Sequence, residues 1–303
     1  MLPPGEDAFR AIFRAAHADH ATCHEDEWLH APCRAPDGTP LPPLVWSRRN
    51  GPWHPVPVVF VGAAPGNAGG RGRGPLGAHG TRIPFGGDVA GANLEVLLGS
   101  VGLHRNGVFL VAAYNRLPAR GGGEPTAAEI LAPVGRYPSS VALLRDTLLA
   151  CQPRLIVALG NVALRALAAA GAALPRLPTL GHLAAAGLTR GRLTPWPPAF
   201  QDAAFRRSWA ARTDAPLPPW LWLYHPSAQT MSPLAAPHTA FVARMRATRD
   251  ALRAAVATAL PEHPLPDVRP LPPSDGIYVL PEWRERIAPR LAALDARWRA
   301  LGL

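Results

Sequence analysis

Four short runs of β-branched and large apolar residues, separated by stretches of helical periodicity, constrain this chain more than any other feature. They are Val58-Val59-Phe60-Val61, Val108-Phe109-Leu110-Val111, Leu155-Ile156-Val157-Ala158-Leu159 and Trp220-Leu221-Trp222-Leu223-Tyr224. Continuous apolar runs of this length read as strands buried on both faces, as in a parallel sheet covered by helices. Helices are expected from Ala8 to Ala18, Ala92 to Val101, Ser139 to Ala150, Ala240 to about Leu260 and Pro281 to Leu301. This alternation predicts an α/β fold, with helices on both faces of a central four-stranded, mainly parallel sheet. Ligands bind such sheets at the carboxyl ends of the strands. A glycine-rich loop beginning Gly62-Ala63-Ala64-Pro65-Gly66 follows the first run, and His225-Pro226-Ser227 follows the last.

The 303 residues suffice for a full core, and the simplest partition is an extension over 1–55, a catalytic domain over 56–245 and a helical C-terminal extension over 246–303. No stretch approaches eighteen consecutive apolar residues, so no membrane partner is expected. The opening Met1-Leu2-Pro3-Pro4-Gly5-Glu6-Asp7 lacks the basic and apolar regions of a signal peptide, which predicts a cytoplasmic protein, nucleoid-associated in a prokaryote.

A formal net charge of +10 favours a polyanionic partner, because clustered cations release counterions condensed on nucleic acid. All 31 basic residues are Arg, and with abundant Ala, Gly and Pro this also fits a GC-biased genome, which weakens the charge argument taken alone. Arg244, Arg246, Arg249 and Arg253 sit on the expected C-terminal helix, where a solvated face is the plainer reading and a DNA-facing one the alternative. Cys23, Cys33 and Cys151 are too few for a four-cysteine metal or cluster site and match no zinc spacing. His17, His20, Cys23, His24 and His30 are irregularly spaced, so a solvated N-terminal extension is expected there, and no metal.

The glycine-rich loop after the first strand has no Gly-Lys-Ser/Thr and no GxGxxG opening a helix, so phosphate cradling is only one of its readings. The order of motifs is more specific. Gly62-Ala63-Ala64-Pro65-Gly66 is followed by Pro84-Phe85-Gly86-Gly87-Asp88 with Gly91, then Thr126-Ala127-Ala128-Glu129, Val157-Ala158-Leu159-Gly160 and Tyr224-His225-Pro226-Ser227. Over about residues 56 to 245 this series resembles the uracil-DNA glycosylase superfamily. Within it the chain is most similar to the family 5, or type B, enzymes. Their first motif lacks an acid or amide, as Ala63 and Ala64 do here; their third segment reads Phe-Thr-Gly-Asp, matched by Phe85-Gly86-Gly87-Asp88. Their second strand ends in an Ala-Ala pair without the uracil-reading Asn, as at Ala112-Ala113.

The resemblance implies a three-layer α/β/α sandwich and a monofunctional enzyme of base excision repair that flips and hydrolytically removes uracil and other deaminated bases from DNA. Cleaving a base from deoxyribose passes through an oxocarbenium-like sugar and an anionic leaving base, so the site needs negative charge near the sugar and a donor at the base carbonyl. Asp88 is the candidate to position the water and stabilise the sugar; its other reading is the cap of the helix that follows. His225 is the candidate donor to the pyrimidine O2, and Phe85 the candidate stacking surface, with core packing as its alternative. Gly62, Ala63, Ala64, Pro65 and Gly66 would form a backbone wall, with Ala112 and Asn115 also near the base; Asn67 and Tyr114 are further substitutes for the missing amide.

Gln229 and Met231 stand where the family inserts a wedge into the minor groove, with Leu234 less favoured, and Ser227, Arg71, Arg73 and Arg82 are candidate phosphate contacts. Families 4 and 5 usually hold a four-iron cluster through four Cys. Two ligand positions fall near Arg116 and near Ala132 or Pro133, and the N-terminal pair has no close counterpart, so no iron–sulfur cluster or other cofactor is expected. A monomer acting on DNA that contains uracil or other deaminated bases is the leading expectation. The alternatives are a catalytically silent DNA-binding relative and a nucleotide-binding α/β protein.

Overall fold

The computed structural model describes residues 4–16, 18, 33–34, 40–41, 56–64, 85, 89–116, 118, 124–227, 238–267, 284–285 and 288–302. Its central sheet contains β1 (Val58–Gly62), β2 (Phe109–Ala112), β3 (Leu155–Leu159), β4 (Leu193–Thr194) and β5 (Trp220–Leu223), in the order β2-β1-β3-β5-β4. β1 pairs in parallel with β2 and β3, and β3 with β5. The four expected strands are all present. The fifth, β4, is an antiparallel edge pairing Leu193 with Leu221 and Thr194 with Trp220, so the sheet is five-stranded rather than four-stranded.

Helices cover both faces. They are α1 (Pro4–Ala16), α2 (Val89–Ser100), α3 (Ala127–Leu131), α4 (Ser140–Cys151), α5 (Asn161–Ala172), α6 (Leu180–Ala185), α7 (Ala203–Ala210), α8 (His238–Ala259) and α9 (Ala288–Ala300). Because strand side chains alternate faces, Val59, Val61, Phe109, Val111, Ile156, Ala158 and Trp220 enter one core with α1, α4 and α5. Val58, Phe60, Leu110, Leu155, Val157, Leu159, Leu221 and Leu223 enter the other with α2, α8 and α9. Each large side chain buried this way contributes about 1.5–3 kcal/mol of transfer free energy.

The N-terminal helix is not a solvated appendage. Phe9, Ile12, Phe13 and Ala16, at i, i+3, i+4 and i+7, bury one stripe of α1 in the first core, and the Phe9 ring meets Phe109 edge-on at 5.1 Å. Its C-terminal end is received by Gly135, whose φ of +56° and absent Cβ allow the Ala15 carbonyl to approach; a Cβ there would lie 2.2 Å from that oxygen.

Three of the arginines of α8 make definite contacts within the domain. Arg246 donates to Leu301 O at 2.9 Å and Arg249 to Gly302 O at 3.1 Å, so both satisfy carbonyls just past the end of α9. Arg253 ties Ser100 O, at the end of α2, to Pro266 O. These three clasp the C-terminal segment onto the domain.

Candidate active site

The carboxyl ends of β1, β2, β3 and β5 meet at one rim of the sheet. Pairing continues past the strands there: Ala113 N donates to Gly62 O at 2.8 Å and Tyr114 N to Ala63 O at 3.0 Å. Gly62-Ala63-Ala64 is thereby fixed beside Ala112-Ala113-Tyr114 and presents backbone rather than reactive side chains. Asn115 is 1 % exposed, and its Oδ1 accepts no hydrogen bond among the described residues. Burial, with the nearby Glu129 carboxylate and only partly offset by Arg116, disfavours the Tyr114 phenolate and raises its pKa above the ordinary value. Glu129 is held in turn by a capping box with Thr126 at the start of α3.

Phe85 closes one side of this rim. Its ring lies where a side chain on Gly62 would be, since a Cβ built there falls 2.7 Å from the Phe85 Cζ. The residue has φ +54°, a left-handed conformation that costs a non-glycine residue about 1–3 kcal/mol and persists only where surroundings hold it. Arg105 supplies the hold, donating from Nη2 to the Phe85 carbonyl at 2.7 Å. Arg105 is itself 1 % exposed and ion-paired with the buried Glu95 of α2.

His225 faces Phe85 across the rim, with ring centroids 5.9 Å apart and planes tilted by 35°. Gly160 makes room for it. The glycine has φ +91°, and a Cβ there would stand 3.3 Å from the His225 Cβ. The chain after His225 is anchored from α2, where Asn93, fully buried, donates from Nδ2 to Pro226 O at 2.8 Å. One helix thus fixes both walls, holding His225 through Asn93 and Phe85 through Glu95 and Arg105. The product is an aromatic face and an imidazole set against each other at the rim, each seated over a glycine that leaves it room.

A model of the Uracil DNA glycosylase superfamily matches residues 50–254. The chain belongs to that superfamily. A search of curated proteins returns no match.

In this glycosylase-superfamily domain, the sequence candidates Gly62, Ala63, Ala64, Phe85, Ala112, Asn115, His225 and Ser227 all lie at or beside the ends of β1, β2 and β5. Pro65, Gly66, Asn67, Arg71, Arg73, Arg82, Asp88, Gln229, Met231 and Leu234 lie outside the described residues, as do His17, His20, Cys23, His24 and His30. In sequence Asp88 immediately precedes Val89, the first residue of α2.

Asn93, Glu95 and Arg105 were not among the sequence candidates. A signal for two of them exists: in Val89-Ala90-Gly91-Ala92-Asn93-Leu94-Glu95-Val96-Leu97-Leu98 an amide and a carboxylate interrupt a helix that is apolar all round. A helix of that kind is buried, and buried polar groups must be partnered. Among the described residues no group of three or more His, Cys, Asp or Glu is placed to hold a metal, and no helix is long and apolar enough to cross a membrane.

Proposed function

We propose that this protein is a monofunctional DNA glycosylase that removes uracil, and with it other deaminated bases, from DNA. The observation that carries this reading is the opposition of Phe85 and His225 over Gly62 and Gly160 within a domain of this superfamily. In the proposed reaction the flipped base stacks on Phe85 and His225 donates a hydrogen bond to the pyrimidine O2. The N-glycosidic bond breaks, its electron pair leaves with the base, and a water oxygen bonds to the sugar C1′. Asp88 stabilises the cationic sugar and takes the water proton, and the departing base is protonated, leaving free base and an abasic site.

Ala63 and Ala64 bring no ionisable group and Ala112-Ala113 no amide, which supports assignment to family 5 and a loose choice of base, since no polar partner penalises the wrong one. The cluster of related families does not suit this chain: Arg116, Ala132 and Pro133, near two of its ligand positions, offer no thiolate, and Cys151 is buried at the end of α4. We assign no cofactor, and we place the protein as a monomer in the cytoplasm, with the nucleoid where the cell is prokaryotic.

The test is incubation with oligonucleotides containing uracil, hypoxanthine, xanthine or ethenocytosine, followed by alkali. Strand scission is expected with at least one, abolished by Asp88→Ala and strongly reduced by His225→Ala. No product with any of the four sinks the glycosylase reading. Salt-sensitive DNA binding retained in both variants would then identify a silent DNA-binding relative, which the inert first motif would suit.

A further inference from the structure

β4 is two residues long and adds little to the sheet, yet the turn before it has a definite product. Gly191, at φ +77°, donates its N–H to Trp222 O at 2.7 Å, and this turn carries Arg190 to the carboxyl end of β5. The guanidinium carbon sits 4.2 Å from the Trp222 ring centroid and 4.2 Å from that of Tyr224. From there the planar fork reaches two chain segments at once. Nη2 donates to Asn161 Oδ1 at 2.7 Å, and Nη1 to Leu223 O at the longer distance of 3.4 Å. Asn161 is the first residue of α5 and Leu223 the last of β5.

Those two segments are the ones that seat His225. Gly160, where a Cβ would stand 3.3 Å from the His225 Cβ, immediately precedes Asn161, and Tyr224 immediately precedes His225. Strand pairing between them ends at Leu159 and Leu223, with Gly160 N donating to Leu223 O at 3.0 Å. Beyond that point Arg190 adds a side-chain tie, a hydrogen bond on the α5 side and a stack on the Tyr224 ring on the β5 side. The residue is half-buried, and among the described residues no carboxylate pairs with it. A charge partly withdrawn from water without a counter-ion is a cost to the fold, so its value here lies in shape. Arginine brings two N–H groups in one plane for two acceptors and a flat face for two rings, and lysine brings neither.

We infer that Arg190 is a positioning residue for His225, locking the end of β5 to the start of α5 so that the imidazole is held in one place over Gly160. The inference rests on the reading of His225 proposed above, as the donor to the departing base. A donor stabilises developing charge only when it is already in place, and a displacement of about 1 Å costs about 100-fold in rate. The missed edge strand then has a function, which is to deliver that fork to the rim.

The experiment compares the parent with Arg190→Lys, which keeps the charge but lacks the planar fork, by NMR of the histidine-labelled protein and by single-turnover base release. The His225 ring signals are expected to shift and their titration midpoint to move, while those of His104, His182 and His263 stay in place. The rate of uracil release is expected to fall about 10- to 100-fold with affinity for undamaged duplex DNA unchanged. In a His225→Ala background the same substitution is expected to change the rate less than about twofold, since a residue that acts through another adds nothing once that one is gone. Asn161→Ala, which removes an acceptor of the fork and leaves Arg190 in place, is the second arm if the lysine variant does not fold, with the same expectations. Parental His225 signals in a folded variant, or an equal loss of rate with and without His225, overturn the inference. A protein that releases no base rejects the glycosylase reading, while the His225 signals still decide the positioning role, so the two failures are distinguishable.

Discussion

Gly62 is the residue on which the placing of Phe85 at the rim depends most directly, because the Phe85 ring occupies the space its side chain would fill. In Gly62→Ala the new Cβ, 2.7 Å from Cζ, forces the ring aside. Overpacking of this kind costs about 1–3 kcal/mol, so base release is expected to drop about 10- to 100-fold while the protein stays folded. The outcome against this account is a Gly62→Ala enzyme with parental kcat/KM on uracil-containing DNA. Asp88→Ala is expected to lose more than Gly62→Ala, since it removes charge from the transition state and not merely a stacking surface. The residues facing the ligand were legible in sequence because motif order places them: Gly62, Phe85 and His225 each follow or precede a recognisable strand or glycine cluster. Those that hold them were not, since contact is made only by folding; Asn93 and its acceptor Pro226 are 133 positions apart.

At the scale of elements, α2 acts as a brace between the two walls, through Asn93 to Pro226 and through Glu95 and Arg105 to Phe85. Removing one member of the buried pair, as in Arg105→Met, leaves Glu95 charged without its partner and is expected to destabilise by about 3–5 kcal/mol. Replacing both, Glu95→Leu/Arg105→Met, is expected to recover most of that loss, because a well-packed apolar pair avoids the desolvation of two ions. Base release is not expected to recover with it, since the Phe85 carbonyl has still lost its donor and the left-handed φ its support. Thermal denaturation alongside kcat/KM separates the two; a double variant that regains both stability and activity would show Arg105 to be structural alone. The long buried strands and the helices between them were readable from periodicity. β4 was not, since the half-buried Leu193-Thr194 pair has no pattern of its own and owes its strand conformation to β5.

For the whole molecule, the terminal helices are part of one packed body. α1 and α9 lie outside residues 50–254, yet each buries aromatic residues in a core, Phe9 and Phe13 in one and Trp298 in the other. The global response to pH follows from two carboxylates with opposite surroundings. Burial raises the Asp146 pKa above its ordinary 3.8, more than its bond to Tyr137 and the charges of Arg145 and Arg212 lower it. A carboxyl raised in the fold contributes stability that is complete below about pH 3.8 and is lost as pH rises through its folded value. Asp202 is the reverse: burial acts to raise it, but the Arg145 side chain and the Ala204 and Phe205 amides prevail and lower it. Its contribution is present above pH 3.8 and is lost as pH falls through that lower value. Asp146→Asn keeps an acceptor for the Tyr137 hydroxyl and abolishes the buried charge, so at pH 7 its Tm is expected to equal or exceed the parent's. On acidification toward pH 4 the parent gains on the variant as Asp146 protonates, and the advantage narrows or reverses. Asp202→Asn is expected to lie below the parent at pH 7 and to converge with it only below pH 3.8. Paired melting curves from pH 7 to 3 decide the matter, and a Tm difference between Asp146→Asn and parent that stays constant across that range would mean that burial does not act on this carboxyl as described.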